Sequence, residues 1–405
     1  MTHAFTKAAV FCSLVLTGTA TVAFQSATAN QAIEESTAAR VIDVLASSLE
    51  RNFVFREVGL RYARYLRQMQ TSGAYRGLSP ADLARHVTAD LQAVFADGHL
   101  RLRAPSPKPL LGAPSAAHAE RESKETGIER SGWLAPHIAY ISFKLFPGSD
   151  ASIAAVGQFL QSHSAAHVLI IDVRTHGGGF TDEFDVIASY LYDKPTELMN
   201  FDTREAAYRP RADTPTLKRI SGPEGIVREV ELAVPLAQPT ALSRARIFVL
   251  TSGFTGSAAE HLTLALKRTG RATIVGETTA GMGHFGRVVE LPAGFTAVIP
   301  IGRPFDPGTG KDWEGSGVTP HIQVPAKDAL AVTLRLLGWS DRVARRTSVR
   351  WMPSGAMDRI IPLRTAPVAE RPGGSTGSDE GGGNSSQLGS GRTPIHLWRG
   401  RDNFS

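Results

Sequence analysis

The segment from residue 131 to residue 345 alternates short apolar runs with amphipathic ones, and this alternation constrains the fold more than any other feature. The runs HVLIIDVR, ARIFVLTS and ATIVGE have the length and the β-branched content of buried strands. The run SAAEHLTLALKRTG has helical periodicity and ends at Gly270. Strand–helix–strand order predicts an α/β domain with parallel strands. Further strands are expected in HIAYISF, VVELPAGFTAVIPIG and HIQV, and further helices in IAAVGQFLQSHS and KDALAVTLRLLGW.

Residues 30–103 have a different pattern, which predicts a small helical bundle. The runs EESTAARVIDVLASSLERNF and REVGLRYARYLRQMQ carry apolar residues at helical spacing. In LSPADLARHVTADLQAVF, Ser79 is a suitable N-cap and Pro80 a suitable first helical residue. Residues 104–130 mix Pro, Ala, Ser and both charges, and are expected to form a linker or flap.

The first 29 residues have the pattern of a secretory signal peptide. Lys7 precedes an apolar run, and Ala27-Thr28-Ala29 supplies an A-x-A cleavage site. A transmembrane anchor is the alternative, but Thr and Gly interrupt the run and it is short for a span. Cleavage would remove the single cysteine, Cys12. We therefore expect a secreted or periplasmic protein without cysteine and without stable membrane insertion.

Residues 346–405 are expected to form a basic segment followed by a disordered tail rich in Gly and Ser. The net charge of +6 comes mainly from residues 341–364, where six Arg face Asp341 and Asp358. The body of the chain is near neutral, so the charge does not predict nucleic-acid binding. No pattern predicts an oligomeric state.

Ser257 lies in TGSAAE, between a predicted strand and a predicted helix. A serine at such a junction is a favoured N-cap, and this is the simplest interpretation of the spacing. The same position also suits a nucleophile, because helix N–H groups can stabilise negative charge there.

Two other segments attract attention for weaker reasons. The run Gly177-Gly178-Gly179 follows the strand HVLIIDVR and could expose N–H groups to an anion, although a plain tight turn explains it equally well. His99 lies in ADGHL, where a surface or structural histidine is the common case. No spacing typical of a metal site is present, so neither metal nor cofactor is predicted.

Four segments taken together resemble one family of serine peptidases. They are DGHLRL at 97–102, LIIDVRTHGGGF at 169–180, FVLTSGFTGSAAEHLTLALKRTGRATIVGETTAG at 248–281 and WEGSGVTPHIQVP at 313–325. The family contains the tail-specific (C-terminal processing) proteases, the tricorn core protease and the interphotoreceptor retinoid-binding protein. The chain is most similar to the last branch, since no segment between residues 105 and 130 resembles a PDZ domain. The resemblance implies a ClpP/crotonase-like α/β spiral preceded by the helical bundle.

The resemblance also implies roles for individual residues. Ser257 matches the family nucleophile, and Ala258 with Gly178 or Gly179 matches the donors of an oxyanion hole. The tail-specific branch uses a lysine base where this chain has Met282, and Lys267 is no substitute. The tricorn-like branch uses a histidine and a glutamate at the positions of His99 and Glu314.

The chain departs from the family at two further positions. His176 stands where Asn is usual, and His321 where Asp is usual. His176 and His284 are therefore alternative bases, with less support than His99.

These features predict a serine endopeptidase that cleaves protein or peptide substrates, with residues 131–345 as the catalytic domain. A non-catalytic carrier of apolar ligands on the same fold and a hydrolase of small esters are the alternatives.

Overall fold

The structure is a computed structural model, and it describes residues 31–106, 125–210 and 214–353. The predicted signal peptide, most of the predicted linker and the Gly/Ser-rich tail lie outside these residues. The described part combines α-helices with two six-stranded sheets. The predicted α/β architecture with a preceding helical bundle is confirmed.

Three helices form the N-terminal bundle: α1 (Glu35–Asn52), α2 (Arg56–Thr71) and α3 (Pro80–Val94). Each carries apolar residues on one face, and these side chains form a single buried cluster. Ser79 caps α3 as predicted, because its hydroxyl accepts the N–H of Asp82 at 3.2 Å. After α3, the chain passes through a loop into the short strand β1 (Arg101–Arg103).

A mostly parallel sheet forms the centre of the second part. In chain order its strands are β2 (Ile128–Ala135), β3 (Ile138–Phe143), β4 (Val168–Asp172), β8 (Arg246–Thr251), β9 (Ala272–Gly276) and β12 (Ile322–Gln323). Their spatial order is β12-β9-β8-β4-β3-β2, and only β2 is antiparallel to its neighbour. All five residues of β4 are buried, as expected for a strand covered on both faces.

Helices cover both faces of this sheet. One face packs on α4 (Asp150–Ser162), α5 (Asp182–Leu191) and α6 (Ala258–Arg268). The other face packs on α7 (Ala329–Leu336) and α8 (Asp341–Arg350). The helix α8 crosses the boundary that the sequence suggested at residue 345, and β2 begins within the predicted linker. In the described part of the chain, no helix has the length and apolar character needed to span a membrane.

An antiparallel sheet connects the bundle to the α/β part. Its strands are β1, β5 (Thr196–Arg204), β6 (Leu217–Ile220), β7 (Ile226–Ala233), β10 (Phe285–Glu290) and β11 (Thr296–Phe305). The order is β1-β11-β5-β7-β6, with β10 also paired to β11. Because β1 pairs with β11, the loop before β1 is held next to the segments that flank β10 and β11.

Candidate active site

Ser257 lies immediately before α6, in the loop that follows β8. Its φ of 53° is unusual for a residue other than glycine, and such strain is typical of positions where a side chain must be held in one direction. The strands β4 and β8 are parallel neighbours, so the loops at their carboxyl ends meet. The N–H of Gly256 donates to the carbonyl of His176 at 3.0 Å, which joins the serine loop to the glycine loop.

Glu260 fixes the serine loop from inside α6. Its buried carboxylate accepts the N–H of Ser257 at 2.8 Å, the hydroxyl of Thr279 at 2.5 Å and the N–H groups of Gly281 and Met282 at 2.6 and 2.8 Å. Burial raises the pKa of this carboxyl, although the four donors oppose the shift. The segment after β9 is thus tied to the backbone of Ser257.

The glycine run lies against Ser257, and its N–H groups differ in their hydrogen bonding. A Cβ on Gly178 would lie 2.8 Å from the Cβ of Ser257, so only glycine fits there. However, the N–H of Gly178 donates to Nδ1 of His176 at 3.0 Å and is already engaged. Among the described residues, no hydrogen bond uses the N–H of Gly179 or that of Ala258. These two N–H groups therefore differ from that of Gly178, which already has an acceptor.

His99 lies in the loop between α3 and β1. Oδ1 of Asp97 accepts the N–H groups of His99 and Leu100 at 2.9 and 3.2 Å and shapes this turn. The ring of His99 is partly buried, and its Nδ1 has no hydrogen-bond partner among the described residues. Burial lowers the pKa of His99, so the ring is neutral over a wider pH range than an exposed imidazole.

Glu314 joins the His99 loop to the segment before β10. Its Oε1 accepts the N–H of Gly98 at 2.6 Å, and its Oε2 accepts those of Gly283 and His284 at 2.7 and 2.9 Å. Side-chain atoms of Asp97, His99 and Glu314 lie within 4.8 Å of one another. No direct hydrogen bond joins His99 to Glu314 among the described residues; the carboxylate accepts backbone N–H groups instead.

The grouping of Asp97, His99 and Glu314 also has the composition of a metal site. Both carboxylates are engaged, since Oδ2 of Asp97 accepts from Nδ1 of His284 at 2.7 Å and Oδ1 accepts two N–H groups. Both oxygens of Glu314 also accept hydrogen bonds, from the backbone N–H groups of Gly98, Gly283 and His284. The arrangement suits the positioning of a loop better than the binding of a cation.

Met282 lies between the serine loop and the His99 loop. Its Sδ is 3.5 Å from the position of a Cβ on Gly256, and its Cγ is 3.2 Å from that of a Cβ on Gly98. This thioether therefore occupies the space between the two loops and cannot exchange a proton.

The two alternative histidines are poorly suited to act as a base. His176 is fully buried, and burial lowers its pKa to about 3, while its Nδ1 already accepts a backbone N–H. For His284, burial is outweighed by the carboxylates of Asp312 and Asp97, which raise its pKa to about 9. His284 is consequently an imidazolium near neutral pH and has no free site for a proton.

A cavity of about 590 Å³ opens beside Ser257, and Gly179 and Ala258 also line it. The sequence analysis did not identify two buried polar residues of this cavity, His261 and Glu231. Nε2 of His261 lies 2.8 and 3.0 Å from the two oxygens of Glu231. His261 follows Ser257 by four residues, about one turn into the helix that Ser257 precedes, and this signal was available in the sequence. The strand that carries Glu231 was not predicted.

Comparison with known protein families gives two matches along the chain. Residues 137–324 match Peptidase family S41, and residues 20–131 match the N-terminal domain of Peptidase_S41 in eukaryotic IRBP.

Comparison with individual proteins gives more distant similarities. The chloroplastic C-terminal processing peptidase of Tetradesmus obliquus is 28% identical over 188 residues, which are 46% of this chain and 35% of that protein. A crystal structure from Parabacteroides merdae, of a protein described as a candidate peptidase, shares the fold with a TM-score of 0.52 and 16% identity, covering 76% of this chain and 98% of that one. The photosystem II D1 C-terminal processing protease has a TM-score of 0.48 and 17% identity, covering 80% of this chain and 99% of that one.

Proposed function

Because the chain belongs to peptidase family S41, we propose that it is a serine endopeptidase whose nucleophile is Ser257. One arrangement supports this above all. Ser257 precedes α6 in a strained conformation and lines a cavity together with Gly179 and Ala258, whose N–H groups are unengaged among the described residues. This arrangement brings together a nucleophile, two donors for an oxyanion and room for a substrate side chain.

In the proposed reaction, His99 takes the proton of the Ser257 hydroxyl as the hydroxyl attacks the scissile carbonyl. The N–H groups of Gly179 and Ala258 stabilise the resulting oxyanion. His99 then gives its proton to the leaving amine, and a water molecule hydrolyses the acyl-enzyme by the same sequence of transfers. The depressed pKa of His99 supports its role as a base, because the ring is neutral when the substrate binds.

Glu314 acts in this proposal as a positioning residue. It holds the turn at Gly98 and the backbone after Met282 at the same time, and so fixes the approach of His99 to the serine loop. Its charge, within 4.8 Å of His99, also favours the imidazolium that forms during attack. Catalytic hydrogen bonds often shorten only when the substrate is bound.

We further propose that residues 1–29 direct export and that the mature protein acts outside the cytoplasm on protein or peptide substrates. The mature chain would begin near residue 30, after Ala27-Thr28-Ala29. Measuring the intact mass of the exported protein tests this, since a chain that retains Met1 would contradict it.

A fluorophosphonate probe tests the peptidase function directly. We expect one adduct on Ser257 in the native protein and none in Ser257→Ala, mapped by mass spectrometry after proteolysis. Cleavage of an unfolded protein such as casein, compared with a small p-nitrophenyl ester, separates a peptidase from an ester hydrolase. A folded protein that forms no adduct would favour the carrier of apolar ligands.

A further inference from the structure

The cavity beside Ser257 has apolar walls and an acidic interior. The walls include Phe201, Leu217, Pro304 and Trp313, which would cover the aliphatic part of a long side chain. The interior includes Asp185, Glu231 and His261, and His284 also lines the cavity. Glu231 is 3% exposed and His261 is 2% exposed, so these polar groups have almost no access to bulk water.

His261 has a buried ring nitrogen without a hydrogen-bond partner among the described residues. Both oxygens of Glu231 lie within hydrogen-bond distance of Nε2, which assigns the ring hydrogen to that nitrogen. In the neutral ring, Nδ1 then carries a lone pair. Nδ1 is buried and has no partner among the residues that the structure describes. A buried acceptor without a donor is costly, so its satisfaction by a bound donor would be favourable.

The carboxylates of Asp185 and Glu231 repel each other in this cavity when both are ionised. Burial and the neighbouring Glu231 raise the pKa of Asp185 to about 7, although the hydroxyl of Thr216 donates to its Oδ2 at 2.9 Å. A cation placed between Asp185 and Glu231 would relieve this repulsion. Arg219 and His284 are cationic groups that line the cavity. Arg219 is exposed, and its guanidinium lies 5.4 Å from the ring centre of Tyr208, whereas the imidazolium of His284 is paired with Asp97 at 2.7 Å. No ion pair joins Arg219 to Asp185 or Glu231 in the described part of the chain.

We propose that this cavity binds the lysine or arginine side chain of the substrate residue whose carbonyl is attacked by Ser257. The inference rests on the proposed function and adds the class of substrate. Gly179 and Ala258 lie in the wall, so the carbonyl sits at the mouth and the side chain on the neighbouring α-carbon points inward. The ammonium or guanidinium donates to Nδ1 of His261 and to the carboxylates of Glu231 and Asp185.

An apolar side chain of the same length would fill the cavity but would leave these groups without donors. Sites that hydrogen-bond a substrate group discriminate strongly against analogues that lack the group, because the buried partners are left unpaired. The expected selectivity is therefore for the cation and not only for size.

Two matched diphenyl phosphonate probes test the inference, one with a lysine side chain and one with norleucine, which has the same carbon stem without the ammonium. Both react with the nucleophile of a serine peptidase and place their side chains in the same pocket. At pH 8, we expect the lysine probe to inactivate the native protein at least about tenfold faster than the norleucine probe. Mass spectrometry identifies the adduct on Ser257.

Variants locate the selectivity in the cavity. Glu231→Gln should reduce the ratio of lysine to norleucine rates by about tenfold or more while the norleucine rate persists. Asp185→Asn is an independent variant that leaves the pair of His261 and Glu231 intact, and it should reduce the ratio as well. Glu197→Gln removes an exposed carboxylate on β5 and should leave the ratio unchanged.

The outcomes separate this inference from the proposed function. If norleucine reacts as fast as lysine and the adduct still forms on Ser257, the inference is wrong and the peptidase function stands. A ratio that is the same in the native protein, Glu231→Gln and Asp185→Asn would also overturn it. If neither probe forms an adduct with Ser257 in a folded protein, the proposed function fails and the inference fails with it.

Discussion

The carboxylate of Glu314 accepts the backbone N–H of Gly98 at 2.6 Å, although the two residues are 216 positions apart in the chain. Its second oxygen accepts the N–H groups of Gly283 and His284. One side chain therefore sets the distance between the His99 loop and the segment that carries Met282. We propose that Glu314 orients the imidazole of His99, the role expected from the resemblance, through the backbone that holds it.

The first prediction concerns this carboxylate. Glu314→Gln keeps one acceptor oxygen but places an NH2 group against backbone donors, so the loop at Gly98 should loosen. We expect kcat to fall on the order of 10²–10⁴-fold while the protein stays folded. Hydrogen exchange at the amide of Gly98 should accelerate in parallel. A loss of kcat without faster exchange would show that Glu314 acts on the ring of His99 directly.

The second prediction concerns Ser257 and His99 as a unit. Ser257→Ala and His99→Ala should each reduce kcat by several orders of magnitude, and the double variant should be no worse than either single variant, because the two groups act in the same step. Turnover of a peptide substrate by the three variants measures this. Near-native activity of His99→Ala would remove His99 from the reaction, and independent, multiplying losses would show that the residues act in different steps.

The third prediction is a pH profile. A base must be neutral to accept the serine proton, and burial lowers the pKa of His99 below its ordinary value of about 6.5. The acid limb of kcat/KM should therefore lie below about pH 6.5. A profile that rises only above pH 8 would instead indicate a base with a lysine-like pKa.

The sequence predicted the order of most elements because their signals are local. The helices of the bundle, β4, β8, α6 and β9 all follow apolar periodicity that the chain shows on its own. The region from α5 to β7 was not assigned. The strand β7 has a mixed burial pattern, with Glu229 and Glu231 buried beside Val230, so acidic residues hide its strand character.

The geometry of the site depended on contacts between distant parts of the chain. Ser257, His99 and Glu314 were selected through the family resemblance, but no spacing could show that Glu314 binds the turn beside His99. Similarly, sequence could not show that Nδ1 of His176 accepts the N–H of Gly178, whereas the N–H of Gly179 has no acceptor among the described residues. Such details arise only when loops from separate strands meet.

The fourth prediction tests the role of His176. Its Nδ1 accepts the N–H of Gly178, and an asparagine oxygen could accept the same bond, so His176→Asn should keep activity within about tenfold of the native protein. His176→Leu leaves that N–H without an acceptor and should lower both activity and stability, by about 1–3 kcal/mol in the free energy of unfolding. Measurements of kcat and urea unfolding compare the two. Complete inactivity of a folded His176→Asn would indicate that the imidazole takes part in catalysis.

The fifth prediction concerns stability at alkaline pH. His284 is 1% exposed, and the carboxylates of Asp312 and Asp97 overcome the effect of burial and raise its pKa to about 9 in the folded protein, against about 6.5 in the unfolded chain. A histidine with a raised folded pKa contributes stability that is fully present below pH 6.5 and is lost as the pH rises through 9. The free energy of unfolding should therefore fall by roughly 2–3 kcal/mol between pH 6.5 and 9.5.

In His284→Gln this part of the fall should disappear, whereas His86→Gln, which removes an exposed histidine of α3, should behave as the native protein does. Urea unfolding at a series of pH values measures the three proteins, and parallel curves for the native protein and His284→Gln would show that His284 is not charged in the folded state.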